Sequence, residues 1–282
     1  MISRRLVKEK AGAQGEKQLS TERTGGQIPN LEGDTVDKLI FMHEDLNVYK
    51  QALDFARDAD SISAAWGSHC ITDHFIRAAE SIVINIAGGV AASTSDSKTQ
   101  RSEYALGSTA ECAACLDMAR AWNTITTEMC EREKGRLNTI YAMLWKLRQS
   151  WLSFELRDEP IDPPPARRIP IGHEKLDVYK AGIKYICCLD ELFRRTPPPD
   201  RFIRSLDASA TSIVLNIAEG NSRISVSDRH RFFRDGDAAN TKAAALLDLC
   251  HRPGQSADAD RTIAGGKLIL SRIGTMLGGL LK

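Results

Sequence analysis

From Val48 onward, apolar residues recur at alternating spacings of four and three: Val48, Ala52, Phe55, Ala59, Ile62 and Trp66. That spacing lays one apolar stripe along a helix, as packing against neighbouring helices requires. The pattern returns at Val178, Gly182, Tyr185, Leu189 and Leu192. A nearly continuous apolar run, SIVINIAGG at Ser81–Gly89, predicts a second helix buried on more than one side, and SIVLNIAEG at Ser212–Gly220 repeats it. Both strings end in glycine, which suits a left-handed C-cap, so these helices are expected to stop at Gly88-Gly89 and at Gly220. A third helix of each set is expected to start near Ser97-x-x-Gln100 and at the capping box Ser225-x-x-Asp228. The fourth helices are expected over roughly 133–157 and 259–281. No alternating strand pattern of useful length intervenes, so the predicted class is all-α.

The matches hold a near-constant offset. His43-Glu44-Asp45-Leu46-Asn47-Val48-Tyr49-Lys50 pairs with His173-Glu174-Lys175-Leu176-Asp177-Val178-Tyr179-Lys180 at 130 residues. The two apolar strings, which differ at two of nine positions, follow at 131, as do Leu116-Asp117 and Leu247-Asp248. Ile140, Met143, Leu144 and Leu147 match Ile273, Met276, Leu277 and Leu280 at 133. This reads as an internal duplication. The expected architecture is two tandem antiparallel four-helix bundles, residues 39–158 and 172–282. Between them, PIDPPPARRIP (Pro160–Pro170) holds five prolines in eleven residues, so 159–171 is expected to be a stiff, extended linker. Residues 1–38 mix Gly, Gln, Ser, Thr and both signs of charge without period, and read as a disordered tail.

Charge narrows the function. With 38 Lys+Arg against 37 Asp+Glu, no global field draws the chain to nucleic acid or membrane, so a nucleic-acid role requires a local basic patch. The seven cysteines are scattered at 70, 112, 115, 130, 187, 188 and 250, which is no disulfide framework and fits a reducing compartment. The N-terminal stretch lacks an apolar signal core, and the apolar run near the C-terminus, LILSRIGTMLGGLL, is too short to span a bilayer. A cytoplasmic location and no membrane partner are expected.

Candidate chemistry is sparse. Asn85 and Asn216 sit inside the apolar strings and must find partners there; they are read as polar core residues that fix helix register. Cys112-Ala-Ala-Cys115 lies within a predicted helix with no matching second pair, and reads as small, soft core residues. His43-Glu44 and His173-Glu174 lack the second His of a zinc-helix motif and suit a first helical turn, where Glu complements the dipole. Gly274-x-x-x-Gly278 permits close helix approach. No phosphate loop, nucleophile elbow or carboxylate pair stands out, so no enzyme, cofactor or metal is expected. One basic cluster remains: Arg223, Arg229, His230, Arg231 and Arg234, with Phe232 and Phe233 adjacent and only Asp228 and Asp235 opposing. Arg on a helix edge beside aromatic rings suits contact with phosphates and stacking on bases.

The order HE-x-L-x-VY, SI-x-x-NIAEG, DR-x-RFF, GS-x-x-EC-x-x-CLD and ML-x-x-L, assembled from both sets, resembles a family of small four-helix bundle proteins. That family includes products of intervening sequences in bacterial 23S rRNA genes and the accessory protein of diversity-generating retroelements. The resemblance covers about 43–155 and again 173–281. The first set keeps Gly107-Ser108, Glu111, Cys112 and Cys115-Leu116-Asp117 but has Gly88 where the pattern has Glu. The second keeps Glu219, Asn221-Ser222-Arg223 and Asp228–Phe233 but has Ala238-Ala239 and Lys242-Ala243 instead of the Gly-Ser and Glu-Cys pairs. If these positions serve one site in single-copy relatives, that site is split here, assembled between copies, or decayed. The resemblance implies a non-enzymatic adaptor that self-associates and binds RNA or a nucleic-acid-handling protein of reverse-transcriptase type. A purely structural assembly protein is the alternative. It also implies similarity to subunits of a five-membered barrel, which whole two-bundle chains cannot fill. A pseudo-two-fold monomer, an even-numbered ring or two linked rings are the expected forms.

Overall fold

The computed structural model describes residues 41–67, 69–153, 172–251 and 256–282; the expected tail and Pro-rich linker lie outside them. Eight α-helices and no strand occur among the described residues: α1 (Asn47–Ser63), α2 (Ile71–Ala91), α3 (Ser95–Ala121), α4 (Thr127–Ser153), α5 (Asp177–Arg195), α6 (Asp200–Ser222), α7 (Val226–Cys250) and α8 (Ala257–Leu280). A short 3-10 turn precedes each set of four, Met42–Asp45 before α1 and Gly172–Lys175 before α5.

The stripes read from sequence face inward. Val48, Ala52, Phe55, Ala59 and Ile62 are buried along α1, and Val178, Gly182, Tyr185, Leu189 and Leu192 along α5. In the first half α1 packs on α2, α2 on α3, α3 on α4, and α4 returns to α1; α5 to α8 follow the same order in the second half. Helix α3 also packs on α5 and α6, and one hydrophobic cluster runs through both halves. The third helix of one half therefore meets the first and second helices of the other. A pseudo-two-fold pairing would match α3 on α6 with α7 on α2, and α7 does not pack on α2 in this way among the described residues, so the contact within the chain is head-to-tail.

This double contact explains α3. Its sequence ALGSTAECAACLDMARA (Ala105–Ala121) is built from small residues on every side, and Ala105, Ala110, Ala113, Ala114, Cys112, Cys115 and Met118 are all buried. A helix with no polar face suits a position enclosed on all sides. Small side chains let neighbouring helices approach closely from more than one direction.

Helix ends are capped by side chains at several of the expected places, with shifts. Ser225 Oγ accepts from the Asp228 amide at 3.4 Å, as its capping motif predicts. Helix α3 starts at Ser95, ahead of the expected Ser97, because Thr94 Oγ1 accepts from the Ser97 amide at 3.2 Å. Thr126 Oγ1 receives the Met129 amide at 3.2 Å, which starts α4 six residues before the expected 133. The glycine C-caps are a correction: α2 and α6 run on to Ala91 and Ser222, past Gly88, Gly89 and Gly220. Among the described residues, positive φ occurs outside these helix ends, at Gly67 (68°) and Asn123 (55°). The glycines serve close packing instead. A Cβ on Gly220 would stand 2.8 Å from the Phe233 ring, and one on Gly89 2.7 Å from Trp151.

Candidate functional site

The structure divides the five cationic candidates. Arg223, the C-cap of α6, is only 12% exposed in its side chain. Its guanidinium pairs with Glu219, lies 4.9 Å from the Phe232 ring centre, and reaches 5.5 Å from the Tyr104 ring on α3. Arg229 turns back to the end of α6, donating Nη2 to the Arg223 carbonyl at 2.9 Å. Both are thus occupied in closing the α6–α7 corner. Arg231 and Arg234 are exposed and His230 half-buried, with Arg231 over the Phe232 ring at 5.1 Å. Phe233 is core, 2% exposed.

Arg223 also joins the two partial patterns. Its guanidinium lies beside Gly107 of α3, at ordinary contact distance from where a Cβ would stand. Burial pushes the Glu219 carboxyl up, Arg223 opposes this, and the charge of Glu111 on α3 adds to the upward shift. Gly107 and Glu111 from the first half thus face Glu219 and Arg223 from the second.

The polar core residues bond locally. Asn85 Nδ2 donates to the Ser81 carbonyl at 2.8 Å and its Oδ1 accepts from Arg101 at 3.2 Å, which ties α2 to α3. Asn216, half-buried, donates to the Ser212 carbonyl at 2.8 Å within its own helix. Cys112 and Cys115 are fully buried, and burial holds both thiols well above their ordinary range. Gly274 approaches α7, where a Cβ would stand 3.1 Å from Asn240; around Gly278 there is open space.

The largest departure from the sequence reading is at His173-Glu174. These residues form a 3-10 turn before α5, whose N-cap is Leu176, so they are not a first α-helical turn complementing a dipole. They are instead part of a buried polar lock between the halves. Lys134 of α4, 9% exposed, holds Asp117 of α3 at 2.8 Å and Glu174 of the second half at 3.0 Å. Tyr179 of α5 donates its hydroxyl to the other Asp117 oxygen at 2.9 Å, and the His173 ring lies 4.5 Å from the Tyr179 ring. Burial alone would lower the Lys134 pKa; Asp117 and Glu174 outweigh it and hold the ammonium above its ordinary value. His173 is fully buried with neither ring nitrogen hydrogen-bonded, and burial lowers its pKa from 6.5 to about 4.

Ligand-type atoms of Asp117, His173 and Glu174 lie within 4.8 Å of one another. The Lys134 ammonium already bonds both carboxylates and supplies the positive charge a cation would bring. Further bonds join the halves. The Cys70 amide donates to Asp207 at 3.1 Å, Asn123 Nδ2 to Asp190 at 2.9 Å, and Trp122 stacks on Phe193 at 5.6 Å. Cys70, His69 and Asp207 superficially resemble a nucleophile, base and orienting acid. Burial and the Asp207 charge, however, push the Cys70 thiol up to about 11, the opposite of what an attacking thiolate needs.

The fold and this junction define an all-helical protein, and one family comparison bears on its class. Residues 44–146 match the model of the 23S rRNA-intervening sequence protein family. No curated protein and no solved structure matches the chain. No helix among the described residues is long and apolar enough to cross a membrane.

Proposed function

We propose that this chain is a non-enzymatic helical assembly protein, whose working surfaces are the faces that join helical halves. The observation that carries this reading is the lock itself. Asp117 and Lys134 present a buried ion pair to an incoming Glu174 and Tyr179, and the surrounding face of α3 is built of small residues. Light-scattering mass over a range of concentrations tests it: particles heavier than the 31.1 kDa chain are expected. A single-chain mass at every concentration would contradict it.

A second reading, contact with RNA, rests on Arg231, Arg234 and His230, which remain on the surface of α7 beside Phe232. It needs no enzymatic group and is compatible with assembly. Arg223 and Arg229 are not counted here, because their side chains are engaged in the α6–α7 corner. Gel-shift titration with structured RNA at several salt concentrations separates the readings. If RNA binds here, replacing Arg231 and Arg234 by Ala flattens the slope of log K against log salt by about 0.9 per lost phosphate contact. Absence of binding at low salt leaves assembly alone.

A further inference from the structure

The lock is present twice in the sequence and filled once in the chain. Within the chain, the turn and helix bearing His173, Glu174 and Tyr179 sit on the Asp117–Lys134 pair. The same residue types recur as His43, Glu44 and Tyr49 before and in α1, and as Asp248 and Lys267 on α7 and α8. Both recurrences have the geometry of the filled lock. The His43 and Tyr49 rings lie 4.6 Å apart at 64°, against 4.5 Å and 57° for His173 and Tyr179. Lys267 is ion-paired with Asp248, as Lys134 is with Asp117.

What differs is cover. The Asp117 and Lys134 side chains are 6% and 9% exposed, whereas Asp248 and Lys267 are 61% and 43% exposed. His173 and Tyr179 are buried, while His43, Glu44 and Tyr49 are partly open. The apolar positions around them follow suit. Leu215 on α6 is 7% exposed and Met118 on α3 is fully buried, but Ile84 and Leu249, at the matching positions of α2 and α7, are 63% and 60% exposed.

We infer that a second copy of this chain docks head-to-tail: His43, Glu44 and Tyr49 of one chain seat on the Asp248–Lys267 pair of the next. Glu44 pairs with Lys267, the Tyr49 hydroxyl donates to Asp248, and the exposed faces of α2 and α7 close on each other. The occupant is set by complementarity, since the chain itself displays both members of a contact it already makes internally. The two surfaces are different, so the contact is heterologous and propagates into a closed ring or a filament. It is weaker than the internal junction, because Asp207, Thr211 and Arg223 of α6 have Ile76, Glu80 and Ala92 at the matching positions. The mass therefore rises with concentration.

This inference rests on the assembly reading and is separable from it by mixing two variants. Glu44→Lys spoils the incoming turn and leaves the receiving pair intact; Asp248→Ala with Lys267→Ala does the reverse. Loss of the charge pair is expected to raise the dissociation constant roughly tenfold or more. Each variant alone should sediment as one chain at concentrations where the unaltered protein is larger. Their equimolar mixture should give a two-chain particle that grows no further, because each pair exposes one spoiled surface at either end. Far-UV circular dichroism should match the unaltered protein for both, since the altered side chains are wholly or partly exposed. An unaltered protein that assembles, with variants that assemble equally well, would overturn this docking surface and leave the assembly reading standing. A single-chain mass for the unaltered protein would overturn both.

Discussion

Lys134 holds two carboxylates on one ammonium, from α3 of its own half and from the turn that opens the other. Removing the cation strands the buried Asp117 carboxylate and the partly buried Glu174, so Lys134→Met is expected to cost roughly 3–5 kcal/mol in urea unfolding. Adding Asp117→Asn should recover part of that loss, which a double-mutant cycle measures directly. His173 gives the junction a pH signature. Its pKa is depressed from 6.5 to about 4, so the folded protein holds it neutral where the unfolded chain binds a proton. Its burial leaves stability intact above about pH 6.5 and lowers it as pH falls toward 4, by roughly 3 kcal/mol across the window. His173→Phe should flatten unfolding free energy against pH between those limits; an unchanged slope would show that His173 does not titrate as described. The sequence made the individual residues visible, because His173-Glu174, Tyr179 and Asp117 all fall in repeated strings. It did not show that they meet, since that contact depends on how one half seats on the other. Lys134 carried no signal of its own, as a lone Lys in a predicted helix normally points to solvent.

At the level of elements, the four-and-three spacing in α1 and α5 was a sufficient guide, because a stripe buried on one side leaves a clear period. Helix α3 lacks that period for the opposite reason: neighbours enclose it. Its run of small residues was the available sign. Glycine was the least legible residue, since the same residue type suits a helix end and a close approach. The two roles predict opposite effects of a methyl group. Gly220→Ala is expected to destabilise by roughly 1–3 kcal/mol through the clash with Phe233. Gly265→Ala, in α8 with open space around it, should instead stabilise by about 0.5–1 kcal/mol. Urea midpoints at unchanged denaturant slope decide both. Arg223→Ala belongs with the first of these, because it strips a buried guanidinium from Glu219, Tyr104 and Phe232. It should lower stability by roughly 1–3 kcal/mol while leaving any salt dependence of RNA binding unaltered.

For the whole molecule, the head-to-tail seating of one half on the other matters more than the basic cluster. The sequence pointed to a duplicated helical chain and to five cationic residues of equal standing. The structure ties two of the five into a corner, and it places a buried polar network at the junction. A near-neutral chain with 38 basic and 37 acidic side chains offers little long-range attraction for nucleic acid, whereas the docking proposed above would give another chain a specific seat. The most direct measurement is the sedimentation-equilibrium mass of the unaltered full chain as concentration rises. The account predicts a mass that climbs above 31.1 kDa in whole-chain steps, and a constant mass of one chain throughout would contradict it.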